Sequence, residues 1–138
     1  MKAALVDTNI LSLFFKGHPQ VVDKFETYLE EYETINLSII TYYEIVSGLK
    51  HRDAHKQIDL FLNFVAQNTI LPLTQDVADI AAEIYAQVRK SGQPIDDIDL
   101  LIAATAVANG LTLVTHNQKH FQRIVQLEVE NWVEKGSQ

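Results

Sequence analysis

Three carboxylate side chains lie just after, or inside, segments that the sequence predicts to be buried. Asp7 directly follows a short apolar run, Glu44 lies six residues behind a second, and Asp99 stands in the first turn of an apolar helix. A fourth polar side chain, Asn117, comes shortly after another apolar run. Carboxylate and amide oxygens are the hard ligands that Mg²⁺ and Mn²⁺ prefer in proteins. These four residues are therefore the candidates for a catalytic metal site, with Asp7, Glu44 and Asp99 as ligands of the ion.

Each of these acids also has a purely structural explanation. Asp7 could cap the helix that follows it, as aspartate often does. Thr41 and Glu44 match the capping box, in which a glutamate reaches back to a backbone amide. Asp99 could complement the dipole of its helix, and Asp97 could cap that helix. Taken one at a time, the acids leave both explanations open.

The surroundings of Asp99 favour a metal. The helix predicted at 98–108 is apolar nearly all round, so it should lie at the centre of the fold. A carboxylate that enters such an interior is costly unless something pairs with it. No Lys or Arg lies near Asp99 in the sequence, and repulsion among several acids would raise their pKa values. A divalent cation would relieve both penalties.

Apolar strands alternate with helices along the chain. We predict strands at 3–6, 35–38, 69–71, 111–114 and 127–129, and helices at 10–15, 21–32, 41–49, 55–66, 76–89 and 98–108, with a helical turn at 119–124. Such alternation predicts an α/β fold in which a parallel sheet is covered on both faces. We expect one domain over residues 1–138. Because open parallel sheets bind ligands beyond the carboxyl ends of their strands, the candidate acids should meet at one edge.

The composition restricts the possible classes of protein. There is no cysteine, which excludes disulfides, thiolate zinc sites and cysteine nucleophiles. No apolar run approaches the roughly 20 residues of a membrane helix, and the first run is too short for a signal peptide, so we expect a cytoplasmic protein. The net charge of −7 argues against non-specific binding to nucleic acid. It is compatible with a metal-dependent nuclease, and it also suits a basic protein partner.

Taken together, the motifs resemble those of PIN domains. In order, spacing and total length they are most similar to toxins of VapC type from prokaryotic toxin–antitoxin pairs, over about residues 5–132. The strings that carry the resemblance are Leu5-Val6-Asp7-Thr8-Asn9-Ile10, Ser38-x-x-Thr41-x-x-Glu44 with Gly48, Gly92-Gln93-Pro94-Ile95, Asp99-Leu100-Leu101-Ile102-Ala103-Ala104, Leu113-Val114-Thr115-His116-Asn117 with Phe121, and Val129-Glu130-Asn131-Trp132.

The resemblance implies a three-layer α/β/α fold and an endoribonuclease that needs Mg²⁺ or Mn²⁺ to hydrolyse RNA. Asp7, Glu44 and Asp99 match the three central acidic positions. Asn117 matches a position where many PIN domains have a fourth acid, which leaves one or two metals open. The family also implies a homodimer and a small VapB-like antitoxin that blocks the site. A PIN nuclease of RNA processing outside such a pair, and a non-catalytic module that binds RNA or protein, remain alternatives.

Two other classes place an acid after the first strand. A phosphatase of the haloacid-dehalogenase type needs a second acid two residues on, where this chain has Asn9. A receiver-like signalling domain has a lysine at a late strand end, where this chain has Thr115-His116-Asn117. Both classes are therefore disfavoured.

Several further side chains could assist the chemistry or could be structural. The hydroxyls of Thr8, Ser38 and Thr115 either orient the metal ligands or cap turns. We expect the three histidines nearest the motifs to be surface residues without a clear partner, and the nearby aromatic residues to serve packing. These are His51, His116 and His120, and Tyr42, Tyr43 and Trp132. The basic segment at 50–52 could hold RNA backbone or be a solvated turn.

Overall fold

A parallel sheet of five short strands lies at the centre of the computed structural model, which describes residues 1–133. The strands are β1 (Ala4–Val6), β2 (Asn36–Ser38), β3 (Thr69–Leu71), β4 (Thr112–Val114) and β5 (Val129–Glu130). Their order in the sheet is β3-β2-β1-β4-β5, and every neighbouring pair is parallel. The predicted α/β class with a parallel sheet is confirmed. The predicted domain of residues 1–138 extends past the described part of the chain and stays a prediction.

Helices connect the strands, as parallel neighbours require. Within residues 1–133 they are α1 (Thr8–Phe15), α2 (Pro19–Glu31), α3 (Ile39–His51), α4 (His55–Ala66), α5 (Gln75–Lys90), α6 (Asp97–Ala108) and α7 (Gln118–Phe121). Two helices separate each of the first three strands from the next. None of the helices in this part of the chain is long and apolar enough to cross a membrane.

The two faces of the sheet have separate apolar cores. In β1, Leu5 packs into the core that includes α5 and α6, whereas Ala4 and Val6 pack into the core that includes α1 and α2. This alternation follows from the pleat of a strand, in which successive side chains point to opposite faces. Because both faces are covered, the strand is apolar throughout, and the three-layer arrangement is confirmed.

Helix α6 is central because it is apolar on almost every side. Its buried residues are Leu100 and the whole segment 102–106. The helix begins at Asp97 and is capped by Asp96, whose carboxylate accepts a hydrogen bond of 2.9 Å from the Asp99 N–H. The prediction that Asp97 caps this helix is therefore wrong. The helix starts one residue earlier than the apolar pattern indicates, and Asp97 is exposed in its first turn.

Helix α3 begins two residues before the predicted start. Strand β2 continues directly into the helix, and the Ser38 hydroxyl caps it by accepting from the Thr41 N–H at 3.0 Å. Thr41 is thus inside the first turn, so the capping-box explanation for Thr41 and Glu44 is wrong. Of the two roles that the sequence left open for Ser38, the structure shows the cap, and the Glu44 carboxylate is free to face the edge of the sheet.

Smaller differences lie near the chain's end and on α3. Strand β5 covers 129–130 rather than 127–129, because Leu127 is buried in the core just before the strand pairs with β4. Helix α7 ends at Phe121 instead of extending to residue 124. Tyr43 was expected to pack, yet it is 61% exposed, while Trp132 is buried as predicted.

Candidate active site

The three predicted acids line one open cavity at the carboxyl edge of the sheet. The cavity has a volume of about 490 Å³. We call it the acid cavity, and it is lined by Asp7, Thr8, Asn9, Ser12, Leu13, Lys16, Glu44, Asp99 and His116. The acids come from three separate segments: the end of β1, the middle of α3 and the start of α6. The predicted convergence of carboxylates at this edge is therefore present in the structure.

Asp7 is the most buried of the three acids, with 5% of its surface exposed. The register of β1 and β4 pairs Val6 with Val114, which places Asp7 beside Thr115. The carboxylate accepts from the Thr115 hydroxyl at 2.8 Å and from the Thr8 N–H, also at 2.8 Å. Asp7 therefore both caps α1 and faces the acid cavity.

Burial raises the pKa of Asp7 to about 6. The two hydrogen bonds act in the opposite direction, and the negative charges of Asp99 and Glu44 raise the pKa further. A carboxyl group in this environment gains from a positive charge close by, because the cation favours the ionised form.

Glu44 is half-buried and is held by α1. Its Oε1 accepts a hydrogen bond of 2.6 Å from the Thr8 hydroxyl, which also lies 3.0 Å from the hydroxyl of the buried Thr41. The hydroxyl of Thr8 thus orients a predicted ligand, and that of Thr115 does the same for Asp7. The contacts of Thr8 with Thr41 and Glu44 join α1 to α3 beside the acid cavity.

Asp99 is oriented by His120, which we expected from the sequence to be a surface residue without a clear partner. Its Oδ2 lies 3.0 Å from Nε2 of His120, and the two side chains are only 27% and 21% exposed. Burial raises the pKa of Asp99, as does nearby Asp96, while His120 lowers it. The prediction that His120 is a surface residue without a partner is wrong, because the pairing spans 21 positions and leaves no local pattern.

The carboxylate oxygens of Asp7, Glu44 and Asp99 are the type of donor that a hard divalent cation prefers. The three side chains do not converge on a single metal position. Within residues 1–133, no three acid or histidine side chains are grouped closely enough to ligate one ion as they stand. Each carboxylate is instead turned toward its own donor, as mutual repulsion favours. Three oxygen-donor acids in one cavity suit Mg²⁺ or Mn²⁺, and binding would draw them together.

Asn117, the fourth candidate, is exposed and is not among the residues that line the acid cavity. Its N–H donates to the Thr115 hydroxyl at 3.1 Å, so its backbone is close to Asp7. A catalytic role for its side chain stays a prediction. His116 is exposed, as expected, and it also lines the acid cavity, where its N–H donates to Asn9 Oδ1 at 3.1 Å.

A second cavity of about 430 Å³ adjoins the first. We call it the apolar groove, and it is lined by Thr8, Ser12, Phe15, Lys16, Glu44, Ile45, Gly48, Leu49, Arg52, Gln57, Leu60 and Phe61. Four of these residues also line the acid cavity, so the two are continuous. Phe15 and Leu60 are 42% and 53% exposed, which is unusual for large apolar side chains that line the same groove.

The fold and this group of acids define the class of protein. The sequence model of the PIN domain matches residues 4–127. The chain belongs to the PIN domain family.

Within that family the similarity is to VapC proteins. The chain is 35% identical to Ribonuclease VapC1 of Methanocaldococcus jannaschii over 87% of its length and 79% of that protein. It is 29% identical to Ribonuclease VapC1 of Haemophilus influenzae over 93% and 96% of the two chains. Among solved structures, VapBC2 from Rickettsia felis bound to a DNA fragment from its promoter superposes with a TM-score of 0.85 at 30% identity, covering 94% of this chain and 98% of that one.

Proposed function

We propose that this chain is the toxin of a VapBC-type toxin–antitoxin pair, an endoribonuclease that hydrolyses RNA phosphodiester bonds with the help of Mg²⁺ or Mn²⁺. The observation that carries the proposal is the meeting of Asp7, Glu44 and Asp99 in one open cavity at the carboxyl edge of a parallel sheet. Membership of the PIN domain family and the VapC relatives support it.

The three acids would hold the ion, and the residues around them keep the acids in place. When bound, the ion lowers the pKa of a water molecule and stabilises negative charge on the phosphate. Thr115 and the Thr8 N–H hold Asp7, while the Thr8 hydroxyl holds Glu44. Fixed ligands of this kind keep the reacting groups aligned, which is a large part of catalysis of phosphoryl transfer.

Lys16 provides a positive charge at the edge of the acid cavity. It is exposed, lines both the acid cavity and the apolar groove, and has no carboxylate within ion-pair distance in residues 1–133. A lysine placed there would bind an RNA phosphate and orient the backbone over the acids. This local charge compensates for the net charge of −7, which repels nucleic acid elsewhere on the surface.

Cleavage of total RNA tests the proposal. We expect Mn²⁺-dependent cleavage that a chelator abolishes, and a loss of at least about 100-fold in each of Asp7→Asn, Glu44→Gln and Asp99→Asn, because the amides remove ligand charge at nearly constant shape. Asp97→Asn is the matched control, since Asp97 is exposed on the same helix turn as Asp99. Circular dichroism checks that each variant is folded. Cleavage near the wild-type rate by any of the three acid variants would remove that residue from the ligand set.

The partner in this proposal is a VapB-like antitoxin that fills the apolar groove and places a basic side chain among the acids. The groove is continuous with the acid cavity, so one segment can satisfy both. An amphipathic helix suits the apolar part, and an arginine suits the acids because its planar fork matches a carboxylate. Assembly as a homodimer and a cytoplasmic location stay predictions.

A further inference from the structure

Helix α7 lies against the start of α6 through two side-chain contacts. His120 of α7 hydrogen-bonds Asp99, and Arg123, just after α7, donates from Nη1 to the Pro94 carbonyl at 3.2 Å. Asp99 is in the first turn of α6, and Pro94 is in the loop that precedes it. The segment around α7 therefore braces the part of the chain that carries Asp99.

The core holds α7 in place. A helix of four residues has too few internal hydrogen bonds to be stable by itself. Phe121, next to His120, is 1% exposed and packs in the same core as α6. The burial of Phe121 fixes the backbone next to His120, and this directs the imidazole of His120 toward Asp99. The contact therefore does not depend on a mobile surface side chain.

The contact with His120 is also the one side-chain hydrogen bond that the described part of the chain offers to the Asp99 carboxylate. Each of the other two acids has a hydroxyl donor: Thr115 holds Asp7, and Thr8 holds Glu44. His120 completes this set of one side-chain donor for each acid. Because the pair is about three-quarters buried, water competes with it less than with an exposed ion pair.

We propose that His120 is a positioning residue, which holds one oxygen of Asp99 so that the other is directed to the metal ion. The inference rests on the proposed function, because it assigns His120 a part in the same metal site. Donors that orient metal-ligating carboxylates typically affect metal affinity by 10- to 100-fold. His120 therefore acts on the affinity for the ion without touching RNA or the ion itself.

Calorimetric titration of Mn²⁺ into the full, RNA-free chain tests this role. We expect His120→Leu to weaken Mn²⁺ binding by at least about 10-fold, and His120→Gln, which keeps an N–H donor, to recover most of that loss. His51→Leu is the control, because His51 is exposed at the end of α3 and lies outside both cavities. Melting curves in chelator check that the variants fold equally well.

The outcomes separate this inference from the proposed function. Wild-type Mn²⁺ affinity in His120→Leu would overturn the positioning role alone. Equal losses in the Leu and Gln variants would also overturn it, since the hydrogen bond would then not be the cause. If the wild-type protein binds no Mn²⁺, the proposed function fails, and this inference fails with it.

Discussion

At the scale of single residues, the acid that is most buried carries two roles. Asp7 caps α1 by accepting from the Thr8 N–H, and it also faces the acid cavity. A cap alone would not need so deep a burial, which raises the pKa of the carboxyl group to about 6 and so opposes its ionisation. Without metal, the ionised carboxylate of Asp7 therefore destabilises the fold, and a cation bound beside it would offset that cost.

This cost predicts how stability depends on pH without metal. The folded pKa of Asp7 lies above its unfolded value of about 3.8, so its contribution is fully present below pH 4 and is lost as pH rises toward about 6. A rise of the pKa from about 3.8 to about 6 corresponds to roughly 3 kcal/mol. We therefore expect Asp7→Asn, in chelator, to raise the free energy of unfolding by up to about 3 kcal/mol at pH 7.5 and by little at pH 4.

Urea unfolding at the two pH values measures this difference. Asp97→Asn, which changes an exposed acid, is the control and should alter stability similarly at both. The same difference between Asp7→Asn and the wild-type protein at pH 4 and pH 7.5 would contradict the assignment.

At the scale of elements, the site depends on how strands pass into helices. Strand β2 leads directly into α3, with Ser38 as cap, and β1 leads into α1 through Asp7. The short connections fix the first turns of both helices, so Thr8 of α1 meets Glu44 of α3. After β4, Thr115 accepts from the Asn117 N–H and donates to Asp7, which joins the start of α7 to the acids.

Asn117, directly before α7, matches a position where many PIN domains have a fourth acid. Its neutral side chain predicts how many metal ions the site binds. Three carboxylates carry at most −3, which balances one divalent ion better than two. We expect Mn²⁺ titration by calorimetry to show one tight site in the wild-type protein and a second, weaker site in Asn117→Asp, because Asn117 is joined to Asp7 through Thr115.

Asp97→Asn should leave the titration unchanged, because Asp97 is exposed outside the acid cavity. Two tight sites in the wild-type protein, or the loss of one in Asp97→Asn, would show that the charge argument is wrong.

At the scale of the whole molecule, the acid cavity and the apolar groove form one continuous surface. In the proposed function, substrate and antitoxin would compete for the acids and Lys16, while the apolar part of the groove would bind the antitoxin alone. The exposed side chains of Phe15 and Leu60 line the groove outside the acid cavity, so we expect cleavage of RNA not to require them.

This separation predicts a variant that escapes neutralisation. We expect Leu60→Asp to weaken binding of the antitoxin by at least about 10-fold, or 1.4 kcal/mol, while Mn²⁺-dependent cleavage stays at the wild-type rate. Leu62→Asp is the matched control, because Leu62 is 39% exposed on the same helix but does not line the groove. Binding is measured by titration of the purified antitoxin. Equal effects of the two substitutions, or none from Leu60→Asp, would contradict the assignment of the groove.

The sequence by itself determined the features that depend on local pattern. Continuous apolar runs indicated strands buried on both faces, and helical spacing placed α4 at the bounds that the structure shows. Asp7 and Asp99 could be named because each stands at the boundary of a strongly apolar segment, where a carboxylate is conspicuous, whereas Glu44 lies inside a helix and was named through its spacing from Ser38 and Thr41. Cap positions were less secure, as Asp96 and Asp97 show, since neighbouring acids have the same propensity and only the backbone geometry selects one.

Only the tertiary structure decided which side chains meet. The donors of Glu44 and Asp99 come from other elements, 36 and 21 positions away, and no periodic pattern links residues at such separations. The strand order β3-β2-β1-β4-β5 brings those elements to one edge of the sheet, and the apolar groove exists because α1, α3 and α4 pack side by side. His120 shows the difference most clearly, because a histidine with no acidic neighbour in the sequence acquires its partner through the burial of Phe121.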